Sequence, residues 1–91
     1  MFRITSNKGF HITFENGLTV STQFSQHNYC DNSRLENVKP ECINAEVAIW
    51  NNEGKWVTKE FYNIDDDVIG YLTSDEVIEI MYKVKNYKKD V

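Results

Sequence analysis

Phe10-His11-Ile12-Thr13-Phe14-Glu15-Asn16-Gly17-Leu18-Thr19-Val20-Ser21-Thr22-Gln23-Phe24 is the stretch that decides the fold of this 91-residue chain. Phe10, Ile12 and Phe14 alternate with mostly polar residues, and Leu18, Val20, Thr22 and Phe24 resume the alternation after Asn16-Gly17. A period of two puts every second side chain on one face of a strand. Asn-Gly is the strongest short hairpin signal, because both residues tolerate positive φ. The stretch therefore predicts two antiparallel strands joined by a tight turn. Upstream, Phe2 and Ile4 alternate in the same way, and Asn7-Lys8-Gly9 carries turn residues. The result is a three-stranded meander over residues 2–24.

From Ser25 to Asn44 the periodicity disappears, and the segment holds the chain's single proline among many Asn and Ser residues. It reads as one long connection, and connections of that length inside a compact domain are usually functional, disordered or hide a short helical turn, which makes it the first place to look for a binding surface. Ala45–Trp50 and Lys55–Tyr62 are rich in β-branched and aromatic residues, and Asn51-Asn52-Glu53-Gly54 between them suits a hairpin loop. They predict a second hairpin in the same sheet. Asn63–Leu72, with Asp65-Asp66-Asp67 and Gly70, reads as a connector.

Thr73-Ser74-Asp75-Glu76 has the spacing of a capping box and starts a helix. Val77, Ile80, Met81, Val84 and Tyr87 then form one apolar stripe. Asp75 and Glu76 at its start and Lys83, Lys85, Lys88 and Lys89 at its end complement the helix dipole. The expected architecture is α+β: a single domain over residues 1–91, with an antiparallel sheet of about five strands, meander plus hairpin, and a C-terminal helix packed on one face.

Composition narrows the function. The apolar runs are far shorter than the roughly 20 residues that span a bilayer, and the N-terminus lacks a signal peptide's charged start and apolar block, so a soluble, cytoplasmic protein is expected. The net charge is −4, which argues against tight binding to phosphate backbones. Residues 41–81 carry ten acids against Lys55 and Lys59, a balance of −8. An acidic segment of that size can face a basic partner or keep a surface solvated.

Few catalytic chemistries have a foothold. His27-x-x-Cys30, Cys42 and His11 could supply zinc ligands, but the paired close spacings of a structural zinc site are missing. Asp65-Asp66-Asp67 lacks the alternating ligands and glycine of a calcium loop. Nothing in the spacing couples Cys30 or Cys42 to His27 or His11 as nucleophile and base, and no phosphate-binding loop is present. The reading is a non-enzyme without metal or cofactor, whose two thiols stay reduced with at least one buried. Tyr29, Trp50, Trp56, Tyr62, Tyr71 and Tyr82 exceed what one face of a small sheet can bury, so some are candidate anchors for a partner or a homodimer.

Phe14-Glu15-Asn16-Gly17-Leu18-Thr19-Val20-Ser21-Thr22-Gln23-Phe24, then Asn28-Tyr29-Cys30, then Ala45-Glu46-Val47-Ala48-Ile49-Trp50 and Gly54-Lys55-Trp56, resemble a family of small phage and prophage proteins. Their pattern is F-x-N-G-W-T-V-S-x-Q-F-G, N-Y-C, A-E-I-A-x-W and G-x-W. Leu18 stands where the family has tryptophan, and Ser25 where it has glycine. The resemblance covers about half the chain and implies a phage or mobile-element origin, without a known mechanism to carry over. By analogy of size and charge, it points to an inhibitor of host defence, with a CRISPR effector subunit as one such partner. The expected partner-binding residues are His27, Asn28, Tyr29, Asp31 and Arg34 in the long loop and Asp65, Asp66 and Asp67 in the acidic segment. The competing readings are an oligomeric sponge for a nucleotide immune signal, with Arg3, Arg34, Tyr29 and Trp50 converging, and a small regulatory or virion-associated module.

Overall fold

A computed structural model describes residues 1–6 and 8–88. Asn7 of the first predicted turn and Lys89 of the basic tail lie outside the described residues. Five strands form one antiparallel sheet in the order of the chain: β1 (Phe2–Ile4), β2 (Gly9–Thr13), β3 (Thr19–Gln23), β4 (Asn44–Trp50) and β5 (Ile69–Thr73). A short helix α1 (Thr58–Phe61) lies between β4 and β5, and α2 (Ser74–Lys85) follows β5 directly.

The alternation read from the sequence sets the register. Phe2 opposes Ile12, Ile4 opposes Phe10, Ile12 opposes Val20 and Val20 opposes Ile49, so these side chains share one face. On that face Val20, Val47 and Ile49 are fully buried beneath Val77, Ile80 and Val84 of α2. Leu18 is buried in the same cluster. The capping box is complete: Glu76 N donates to Thr73 Oγ1 at 3.2 Å and Thr73 N donates to Glu76 Oε1 at 3.0 Å.

The second hairpin differs from expectation. After β4, Lys55–Tyr62 contributes one isolated bridge, Trp50 to Trp56, and then turns into α1. Asn51 Oδ1 accepts from the amides of Glu53 and Lys55, which tightens the turn. Thr58 Oγ1 then accepts from Ile49 N at 2.9 Å and so takes the place of a strand partner. The fifth strand is instead Ile69–Thr73, inside the segment read as a connector, and it pairs with Asn44–Val47 across a register shift between Ala45 and Val47.

Asn16-Gly17 makes a turn of a different kind from the two-residue one expected. Only Gly17 takes a positive φ, 87°, while Phe14 N donates to Leu18 O and Gly17 N to Phe14 O, a three-residue loop. Asn16 ties the β2–β3 turn to the C-terminal end of α2. Its Oδ1 accepts from Leu18 N at 3.0 Å, and its Nδ2 donates to Val84 O at 2.7 Å and Tyr87 O at 3.1 Å. The β2–β3 turn thereby satisfies carbonyls that the C-terminus of α2 leaves open. Asn16→Ala is expected to lower unfolding stability by about 1–2 kcal/mol, the range for losing a cap. Urea denaturation checks this.

Candidate functional site

The long connection is an ordered loop pinned at several points. Asn28 Oδ1 accepts from Ser25 N at 2.9 Å, closing a turn, and Ser25 does not take a positive φ, so the turn needs no glycine at that position. Glu46 on β4 holds the same turn to the sheet: its carboxylate accepts from Tyr29 N at 2.9 Å and from Asn28 Nδ2 at 3.3 Å. Asn32 is buried and its Nδ2 donates to the carbonyls of Phe24, Glu41 and Lys39, tying the loop's two ends together. Asp31 N donates to Asn44 Oδ1 at 2.7 Å.

Against this scaffold the expected binding residues separate into two kinds. Asn28 is half-buried and engaged internally. His27, Tyr29, Asp31 and Arg34 are exposed, Tyr29 at 55%, and Arg34 holds a left-handed φ of 64°. Asp65, Asp66 and Asp67 are exposed in the turn leading into β5, with Lys59 Nζ 3.9 Å from Asp65. A contact between such exposed groups is worth little.

The loop meets β5 at the sheet edge. Tyr71 N donates to Tyr29 O at 2.8 Å. Gly70 is required there, because a Cβ at that position would fall 2.5 Å from Tyr29 Cβ. Tyr71, which the sequence offers only as one of several candidate aromatic anchors, lies here beside Tyr29. It is 54% exposed and held at φ 57°, a left-handed conformation that is strained for a bulky side chain. The sequence places Gly70 in a connector, with no local signal that it adjoins Tyr29.

The opposite face of the sheet carries a separate aromatic group. The His11 ring meets Trp50 edge-on at 4.9 Å, and Trp50 lies 5.6 Å from Trp56. Arg3 on β1 opposes His11 on β2. Of the residues considered for a nucleotide pocket, Arg3 sits on the β1 edge and Tyr29 against the β5 edge, so within one chain they do not converge.

Cys30 and Cys42 are free thiols, Cys30 buried and Cys42 half-buried. Among the described residues no group of three or more His, Cys, Asp or Glu could hold a metal ion, and no helix is long and apolar enough to cross a membrane. No family model, curated protein or solved structure matches the chain.

Two titrating groups give measurable consequences. Burial, and then the Arg3 charge, hold His11 below the ordinary imidazole range. The unfolded chain therefore takes up that proton more readily than the folded one. The His11 contribution to stability is complete above about pH 6.5 and declines as pH falls from there toward the lower folded value. His11→Gln is expected to flatten this part of the pH dependence of Tm. Burial also pushes the Cys30 thiol up, so it stays protonated at neutral pH. Iodoacetamide is expected to modify Cys42 in the folded chain and spare Cys30, while Glu46→Ala, which frees the loop, opens Cys30 to alkylation. Peptide mass spectrometry distinguishes the two sites.

Proposed function

We propose that this chain is a non-enzymatic binding protein that works by occupying the surface of a protein partner with its β5 edge. The observation that carries the reading is Tyr71, exposed and held at φ 57° beside the exposed Tyr29. A left-handed tyrosine costs roughly 1 kcal/mol or more, and such costs persist mainly where function maintains them. Tyrosine is also among the residues that dominate protein interfaces.

Asp31 is held at the Asn44 end of β5 and Asp65–Asp67 precede its other end, so both ends of the edge strand carry negative charge. A basic surface, such as the groove of a nucleic-acid-binding effector, would be drawn to it. Together with the resemblance to small phage proteins, this supports an inhibitor that blocks a bacterial immune complex, a CRISPR effector among the candidates, inside the infected host.

The test is the plating efficiency of a phage on a defended host that expresses the protein. Reversal of Asp65, Asp66 and Asp67 to Lys is expected to remove most of the protection given to the phage. Tyr71→Gly is expected to do the same while Tm is held or raised, since glycine relieves the backbone. Protection unaffected by both variants would overturn the reading. Excess absorbance at 260 nm in the purified protein, from a retained nucleotide, would replace it with the sponge.

A further inference from the structure

We propose that the uncovered half of the sheet is the interface of a homodimer, in which each copy closes the other's apolar groove. The inference is independent of the β5 edge. Five strands at about 4.8 Å spacing span about 19 Å between outer strand axes, whereas one helix is about 10 Å across. α2 packs on β3, β4 and β5. The same face of β1 and β2 is left without a covering layer, although it presents Phe2, Ile4, Phe10 and Ile12.

Between this overhang and α2 lies a groove of about 540 Å³. Phe10, Ile12 and Phe24 line it on the sheet side, Ile78 and Met81 on the helix side, and Ile43 on the loop side. Phe2 forms its outer lip.

Three observations select a second copy as the occupant. The first is area. Phe2, Ile4, Ile43, Ile78 and Tyr82 are each between 63% and 79% exposed. At on the order of 150 Å² per large side chain and these exposures, the five offer roughly 550 Å² per copy, about two-thirds of the roughly 800 Å² that each partner gives to a standard interface, and Phe10, Phe24 and Met81 inside the groove add to it.

The second is shape. A two-fold interface must be self-complementary, and here a protruding lip and the recess that would receive it belong to one patch. β1 is also an edge strand, so its outer backbone groups are free to face the partner.

The third is charge. Among the described residues Glu41 is the sole charged one lining the groove, while Asp65–Asp67 lead into β5 at the far edge of the sheet. Two chains of net charge −4 can therefore meet at this patch with their acidic ends apart.

Sedimentation equilibrium under reducing conditions, over roughly 1 to 500 μM, tests the proposal. The expected mass at the upper end is twice the 10.7 kDa of the chain. Phe2→Lys and Ile78→Lys alter exposed positions and should keep the wild-type circular dichroism. Each is expected to weaken the dimer by at least about tenfold. Tyr29→Ser, at the opposite edge, should leave it unchanged.

A monomer at every concentration overturns the proposal. So does a dimer indifferent to both lysine variants, or one broken by Tyr29→Ser. A monomer that binds an apolar dye in the groove, with binding lost in Ile78→Lys, would assign the groove to a small apolar ligand instead.

Discussion

The constraint on which the rest depends is that one helix is asked to cover a five-stranded sheet. Val77, Ile80 and Val84 of α2 bury Val20, Val47 and Ile49, and that contact is the centre of the core. Because the helix lies over β3 to β5, the dry part of the molecule ends midway across the sheet. Beyond that line, equally apolar strands stand without a covering layer. Asn16 secures the arrangement at one end by joining the β2–β3 turn to the last turn of α2. Thr73 and Glu76 secure the other end by capping its start.

The loop and β5 depend on each other in a similar way. Glu46 reaches from β4 to hold the turn at Asn28 and Tyr29, and Tyr29 in turn accepts the backbone amide of Tyr71 on β5. At this point the outer edge of the sheet is paired with the loop, which removes a site of strand addition. What remains exposed there is side-chain chemistry: two tyrosine rings on a base pinned by hydrogen bonds. Preorganisation of that kind lowers the entropy lost on binding.

The parts of the fold legible in the sequence were those set by local patterns. The alternation from Phe10 to Phe24 located β2 and β3, and the capping box located the first residue of α2. The elements decided by distant contacts were not legible. Lys55–Phe61 has the composition of a strand, yet Thr58 satisfies Ile49 with a side chain and the segment curls into α1. Gly70 looks like a breaker until Tyr29, forty-one positions earlier, is seen packed against it. Asn16 carried a turn signal, but nothing nearby in the chain indicated that its amide closes a helix 68 residues away. The site divides likewise. Composition marked the loop, the aspartates and a set of aromatic residues, whereas Asn28 serves the loop's own structure and only the backbone angle singles out Tyr71 among those aromatics.

Affinity purification tests the central claim, binding through the β5 edge, most directly. Tagged wild-type chain and a Tyr29→Ser, Tyr71→Gly double variant would be recovered in parallel from nuclease-treated lysate of a defence-rich bacterial host, followed by mass spectrometry of the eluates. The account predicts one defence subunit in stoichiometric amount with the wild type and its loss with the variant. Recovery of the wild-type chain alone, or of the same partner by both chains, would contradict it.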